Sequence, residues 1–181
     1  EALEKSYAKN DEAYRRIFDR CGLNYFVVGA FSGAMGGSES EEFMVESEAG
    51  EDTAAHCKSC GYAANSEVAT SKVAGALRHK ESKEIWEIHT PNIKSIDELC
   101  VFLGITENQT AKSRVYIHND EPVLVLMLGN DDVNETKLEA ILGGEFRPAE
   151  SEEMLNWMGA DAGSIGPVGF KGRVIADLRL K

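Results

Sequence analysis

The sequence has little of several features that define common classes of protein. It contains four cysteines among 181 residues, and their scatter does not suit a disulfide framework. It contains no run approaching the ~20 apolar residues that span a bilayer, and no apolar segment after a charged start. We therefore expect no membrane helix, no secretory signal and a cytoplasmic location. Because the first residue is Glu1 rather than Met, we also expect a processed or excised chain.

A basic surface is lacking as well. The chain has 19 Lys and Arg against 31 Asp and Glu, which gives a net charge of −12. Residues 1–88 carry 10 basic and 16 acidic side chains, and residues 89–181 carry 9 and 15. Binding that depends mainly on phosphate neutralisation needs clustered cations. Any contact with nucleic acid is therefore expected to be local, with a partner segment providing most of the affinity.

Two of the cysteines, Cys57 and Cys60, have the spacing of metal-binding or redox pairs, and His56 precedes them. A structural zinc site needs a second pair of ligands, and the sequence offers no second motif of this kind. A reduced cytosolic pair is the favoured interpretation, and zinc binding and redox chemistry remain open.

The clearest structural pattern lies in residues 110–129, where apolar residues recur with a period of two. Asn119 and Asp120 interrupt it, so we predict a hairpin that pairs 113–118 with 123–128. The second arm is apolar at every position, as expected for a central strand covered on both faces. Lys112 lies at the mouth of this hairpin. From its position alone, a solvated surface lysine is the simpler interpretation.

The other predicted elements fall on either side of a polar segment, 77–83, which we interpret as a linker between domains 1–76 and 84–181. Ser95 and Glu98 form a capping box at the start of a helix that ends at Gly104. The remaining predictions are a helix over 3–22, strands over 24–29, 42–45 and 53–57, helical spacing over 62–76, a strand over 85–89, helices over 135–142 and from Ser151 to Gly159, and a strand over 174–178.

Two glycine-rich loops, 31–38 and 163–169, leave backbone amides accessible to a ligand. The first matches neither the phosphate-loop pattern nor the dinucleotide fingerprint. A flexible turn is therefore the simpler interpretation of that loop.

Longer segments resemble a known family. The segment CGLNYFVVGAFSGAMGGSESEEFMVESEAGEDTAAHCKSCGYAANSEVA resembles the catalytic core of bacterial-type prolyl-tRNA synthetases, which are class II enzymes. TPNIKSIDELC, TAKSRVYI and GSIGPVG resemble the inserted YbaK-like editing domain of that family. The resemblance implies an α+β fold, with part of the class II antiparallel sheet and a helix followed by a mixed α/β editing domain. It also implies that the editing domain lacks its last few tens of residues, where members of the family have further pocket groups.

The resemblance implies two sites. Lys112 matches the catalytic lysine of editing, and Glu41 stands where the family has a histidine. The residues implied to bind proline are Ser32, Gly33, Gly36, Gly37, Ser38, Ser40 and Glu42. The residues implied to bind the editing substrate are Leu99, Gly163, Ser164, Ile165, Gly166 and Pro167.

The resemblance further implies ATP and magnesium as cofactors of the full-length enzyme, with none bound to the editing domain. The implied partners are the acceptor end of tRNA(Pro), proline, alanine and a second subunit in a homodimer, with no membrane. The arginine-bearing motifs that hold ATP are not in the sequence, so we expect no aminoacylation by the isolated chain. Two alternatives stay open, a free-standing trans-editing deacylase and a non-catalytic acidic interaction domain.

Overall fold

The computed structural model describes residues 2–33, 36–37, 40–72 and 84–180. The chain divides into two units, Glu1–Ser71 and Lys72–Lys181. The predicted linker, 77–83, lies outside the described residues, so the proposed domain bounds stay a prediction. Within the described residues, no helix is both long and apolar enough to cross a membrane.

The first unit consists of one long helix and a four-stranded sheet. The sheet has the order β2-β1-β4-β3. Strands β1 and β2 pair antiparallel, as do β3 and β4, whereas Gly29 of β1 pairs with Ala64 of β4 in parallel. The sheet is therefore mixed, not wholly antiparallel as expected. The elements are α1 (Ala2–Arg20), β1 (Tyr25–Ala30), β2 (Ser40–Val45), β3 (Ala54–His56) and β4 (Ala63–Asn65).

The helix predicted over 3–22 and the strands predicted over 24–29, 42–45 and 53–57 are confirmed, with every end within two residues of its predicted position. The helical spacing predicted over 62–76 is wrong for its described part. Ala63–Asn65 forms a strand, because its backbone pairs with Ala54–His56. Small residues provide little apolar stripe to hold a helix, so the neighbouring strand decides the conformation.

The second unit contains a four-stranded mixed sheet of order β7-β5-β6-β8, in which β6 and β8 run parallel. A mixed α/β arrangement was expected here. The helices are α2 (Ile96–Leu103), α3 (Glu135–Leu142) and α4 (Ser151–Met158), with 3-10 turns at Glu107–Gln109 and Leu178–Leu180. The strands are β5 (Ala111–His118), β6 (Glu121–Leu128), β7 (Arg147–Pro148) and β8 (Arg173–Ala176).

The predicted hairpin is confirmed and forms the centre of this unit. Its register runs from Ala111 opposite Leu128 to His118 opposite Glu121. Asn119 and Asp120 both have positive φ, 52° and 61°, as a tight two-residue hairpin turn requires. Strand β6 lies between two neighbours. The main core cluster consists of Tyr116, Val123, Val125, Met127, Leu138 and Leu142.

The helix starts follow local capping chemistry. The amide of Glu98 donates to Ser95 Oγ over 3.2 Å, and the Ser95 amide donates to Glu98 Oε2 over 3.1 Å, which confirms the capping box. Asn134 caps α3 through Lys137 N, over 3.0 Å. At α4 the cap is Glu150, one residue before the predicted Ser151. Each helix therefore begins where the sequence predicts, within one residue.

Two strand predictions in this unit need correction. Residues 84–90 form no strand, and the side chains of Ile85 and Trp86 are 87% and 74% exposed. Alternation alone does not make a strand, because the backbone also needs a partner strand. The last strand ends at Ala176 instead of 178. Asp177 then accepts the Arg179 amide at 2.8 Å and starts a 3-10 turn.

Candidate functional site

Lys112 lies near the start of β5, opposite Met127 in the hairpin register. Its Nζ atom donates to Asp132 Oδ1 over 3.0 Å. The Lys112 side chain is only 26% exposed. Lys112 is therefore not the solvated surface lysine that its position alone suggested, because its side chain is ion-paired and partly buried.

Arg114 also contacts Asp132 and was not singled out from the sequence. Its Nη2 atom donates to the same oxygen, Oδ1, over 3.2 Å. Hydrogen bonds from Lys112 and Arg114 hold the pKa of Asp132 below its usual value, the bond from Lys112 being the larger cause. The available signal was the spacing of two between Lys112 and Arg114, which places both side chains on one face of a strand.

These two cations lie on the wall of a cavity of about 480 Å³. Four of the predicted editing residues line it, namely Leu99, Lys112, Gly163 and Ile165. The cavity wall does not include Ser164, Gly166 or Pro167. The structure thus brings residues from α2, β5 and the second glycine-rich loop to one place, although they lie far apart in the sequence.

The cavity wall combines apolar and charged side chains. Apolar groups come from Ile93, Ile96, Leu99, Met154 and Ile165. The charged residues on the wall are Lys94, Lys112, Arg114 and Glu135. Such a wall can enclose a small apolar group while cations bind a negatively charged part of the same ligand.

The second glycine-rich loop is held by its own turns. The Ser164 amide donates to Asp161 O over 3.1 Å, and the Phe170 amide donates to Pro167 O over 3.2 Å. Gly163 has a φ of +90°, a conformation that favours glycine. The Ser164 amide of this loop is therefore already hydrogen-bonded within the chain, whereas the sequence predicts amides accessible to a ligand.

The first glycine-rich loop is described only in part, and Ser38 lies outside the described residues. Ser32 Oγ donates to Gly37 O over 3.2 Å, and the Gly36 amide donates to Gly33 O over 3.1 Å. Gly33, Gly36 and Gly37 all have positive φ, which explains why glycine occupies these positions.

Ser40 and Glu42 belong to β2, which follows this loop. Glu42 Oε2 accepts a hydrogen bond from Nδ2 of the buried Asn65 over 3.1 Å. The neighbouring Glu41 accepts one from the Tyr7 hydroxyl over 3.2 Å. Glu41 and Glu42 line a second cavity, of about 370 Å³, beside α1. Of the residues implied to bind proline, that cavity includes Glu42 alone.

Cys57 and Cys60 lie in the turn between β3 and β4. The Cys57 amide donates to Tyr62 O over 2.8 Å, and the Gly61 amide donates to Cys57 O over 2.9 Å. Hydrogen bonds from the Cys60 backbone, then its side chain, and from the Ser59 backbone lower the pKa of Cys57. Within the described part of the chain, no three His, Cys, Asp or Glu side chains are grouped as metal ligands.

Comparison with known proteins identifies the family. Residues 90–181 match the model of the aminoacyl-tRNA editing domain family. The chain is 46% identical over 180 residues to a proline--tRNA ligase of Ligilactobacillus salivarius, covering 98% of this chain and 32% of that relative. It is 47% identical over 182 residues to a proline--tRNA ligase of a Thermoanaerobacter species, covering 97% and 31%.

A crystal structure described as a candidate trans-editing enzyme for prolyl tRNA synthetase is also similar. It is 25% identical, with a TM-score of 0.44, over 48% of this chain and 55% of that one. The chain spans about a third of the length of the curated relatives it matches. On the match over residues 90–181, the chain belongs to the aminoacyl-tRNA editing domain family.

Proposed function

We propose that residues 84–181 hydrolyse the ester that joins a wrong amino acid, alanine, to the 3′ end of tRNA(Pro). One observation carries this proposal: Lys112 shares the wall of a single cavity with Leu99, Gly163 and Ile165. These are residues that the family resemblance implies for editing. The matching family model over residues 90–181 supports the same reaction class.

The proposed chemistry uses water as the nucleophile. Lys112 provides a compact cation that holds the ester through a ribose or phosphate oxygen, so that the carbonyl stays in a fixed position. Backbone amides of Gly163 and Ile165 are the candidates to stabilise the negative charge that develops on the carbonyl oxygen. A hydroxyl of the substrate's own ribose assists the attack. The products are alanine and tRNA with a free 3′ end.

The size of the amino acid determines which substrate needs editing. Alanine is smaller than proline, so a proline-binding site cannot exclude it sterically, and a second site is the known remedy. Leu99 and Ile165 provide apolar surface on the cavity wall for the alanine methyl group. We expect them to disfavour a larger side chain.

We further propose that residues 1–76 are part of a class II catalytic core that binds proline. Support comes from the two proline--tRNA ligases, whose similarity covers nearly all of this chain. On this proposal, the full-length protein is a cytoplasmic homodimer that uses ATP and magnesium to attach proline to tRNA(Pro).

The test is the hydrolysis of alanyl-tRNA(Pro) by the wild-type chain and by Lys112→Ala. We expect the wild type to hydrolyse the ester and the variant to lose about 100-fold or more in rate. Arg173→Ala is the matched control, since it removes a cation from β8 that does not line the cavity. Equal rates for Lys112→Ala and the wild type would contradict the proposal.

A further inference from the structure

Two cations on the cavity wall share one carboxylate. Lys112 Nζ and Arg114 Nη2 both donate to Oδ1 of Asp132, over 3.0 and 3.2 Å. Asp132 brings one negative charge against two positive charges, so the group as a whole keeps a positive charge. The Asp132 side chain is 75% exposed, so the pairing is open to exchange with a ligand from solvent.

Positive charge gathers at this cavity although the chain is acidic. Residues 89–181 contain 9 basic and 15 acidic side chains. The cavity wall nevertheless carries Lys94, Lys112 and Arg114 against Glu135, and Asp132 pairs with two of these cations. The net charge at the cavity is therefore positive, and a positive cleft concentrates ligands of the opposite sign. The ligand is therefore expected to present negative charge to this wall.

The two cations differ in depth. The side chain of Lys112 is 26% exposed and that of Arg114 is 53% exposed, so Lys112 is the inner residue and Arg114 the outer one. They project from one face of β5, and because both donate to the same Asp132 oxygen, Lys112 Nζ and Arg114 Nη2 lie no more than about 6 Å apart. A nucleotide carries its 5′ phosphate and its 3′ oxygen on opposite sides of the ribose. A ligand whose 3′ ester lies at Lys112 can thus place its phosphate at Arg114.

We propose that Arg114 binds the phosphate on the 5′ side of the terminal nucleotide of the tRNA acceptor end, while the 3′ ester of that nucleotide lies at Lys112. This inference rests on the proposed function. The planar guanidinium can donate two parallel hydrogen bonds to a phosphate, which suits this position better than a second lysine would. Before the phosphate binds, the Arg114 guanidinium is held by its hydrogen bond to Asp132. Arg114 thereby contributes to the affinity for the nucleotide, and Lys112 positions the ester for hydrolysis.

The direct test uses adenosine 5′-monophosphate and adenosine as probes, titrated into the full chain and followed by NMR. We expect the wild type to bind the monophosphate about tenfold more tightly than adenosine. Arg114→Ala should bind the two probes equally. Arg173→Ala should keep the preference, because Arg173 lies opposite Val123, four residues along β6 from the partner of Lys112.

Kinetics provide a second readout. In hydrolysis of alanyl-tRNA(Pro), Arg114→Ala should raise KM about tenfold and leave kcat within about twofold. Equal binding of the two probes by the wild type would overturn the inference. The inference would also be overturned if Arg114→Ala changed the preference for the monophosphate no more than Arg173→Ala does. The titration does not depend on hydrolysis. A wild type that prefers the monophosphate through Arg114 but leaves alanyl-tRNA intact would contradict the proposed function and keep the phosphate site.

Discussion

The two units have similar sheets but very different cores. Each contains four strands, yet the described part of the first unit buries only two apolar side chains, Val28 and Ala64. The second unit buries nine, which are Val115, Tyr116, Ile117, Val123, Leu124, Val125, Met127, Leu138 and Leu142. Since burial of apolar surface is the main source of stability, the second unit is expected to be the more stable.

The long helix of the first unit also buries little apolar surface. Within its described residues, α1 contains no buried residue, and Tyr14 and Ile17 are 52% and 53% exposed. Tyr14, Phe18, Tyr25 and Phe43 form an aromatic cluster with neighbouring ring centroids 5.4–6.2 Å apart. The first unit thus has regular secondary structure with little buried apolar surface. Its free energy of unfolding is expected to be low, because stability depends on the buried core.

The largest expected effect is that of removing a core side chain from the second unit. Leu124 is 0% exposed, and Leu124→Ala should lower the free energy of unfolding by about 3 kcal/mol. Leu155→Ala is the matched control, since Leu155 is 52% exposed, and it should cost no more than about 0.5 kcal/mol. Urea denaturation measures both. A control that costs as much as Leu124→Ala would refute the assignment of the core to β6.

Hydrogen exchange should show the same contrast between the units. We expect amides of β6 (Glu121–Leu128) to exchange roughly 100-fold more slowly than those of β1 (Tyr25–Ala30). The physical reason is that β6 lies between β5 and β8 and is buried along most of its length. Native-state exchange followed by mass spectrometry measures this difference. Greatest protection within residues 24–57 would reverse the comparison.

A smaller effect is expected from a helix cap beside the cavity. Ser95 accepts the Glu98 amide at 3.2 Å, so Ser95→Ala should destabilise the second unit by about 1 kcal/mol. Ser151 provides the control, because the N-cap position of α4 is Glu150 and Ser151 lies one residue inside the helix, so Ser151→Ala should cost at most about 0.5 kcal/mol. Thermal unfolding distinguishes the two variants. Equal decreases in the free energy of unfolding for the two variants would show that the capping assignments are wrong.

These helix starts also show what the sequence can predict. The capping box at Ser95 and the hairpin turn at Asn119 depend on residues within four positions of one another, so the local sequence contains the whole signal. The strand predicted over 85–89 and the helical spacing over 62–76 depend on backbone partners elsewhere. Alternation and residue size contain no information about such partners, so both predictions were wrong in the described residues.

The residues of the candidate site likewise include some that the sequence indicated and some that it did not. The editing roles of Lys112, Leu99 and the second glycine-rich loop came from the resemblance, whereas Arg114 and Asp132 were not singled out at all. Asp132 lies 20 residues after Lys112 and 18 after Arg114, and the hairpin between them brings the three together. An acidic residue in a chain with 31 of them carries no sign of its partner until the register is known.

The smallest expected effect concerns acid stability. Arg147 donates two hydrogen bonds to Glu153, of 2.8 and 2.6 Å, and this pairing lowers the pKa of Glu153 to about 2 from 4.5. Because the folded-state pKa is lowered, the stabilisation is present above about pH 4.5 and is lost as the pH falls toward about 2.

Glu153→Gln tests this pairing through urea midpoints measured across that range. The variant should be less stable than the wild type near neutral pH, and the difference should shrink as the pH falls toward about 2. Glu152→Gln, which removes an exposed carboxylate from the same helix, should show a smaller change with pH. A difference that stays constant with pH would rule out the ion pair as its cause.

The most direct test of the central claim compares two esters on the wild-type chain. Alanyl-tRNA(Pro) and prolyl-tRNA(Pro) differ only in the amino acid, so their single-turnover hydrolysis rates report the selectivity of the cavity. A size-limited editing site predicts that the alanyl ester is hydrolysed at least about tenfold faster than the prolyl ester. Equal rates for the two esters, or faster loss of proline, would contradict the assignment of this cavity to editing.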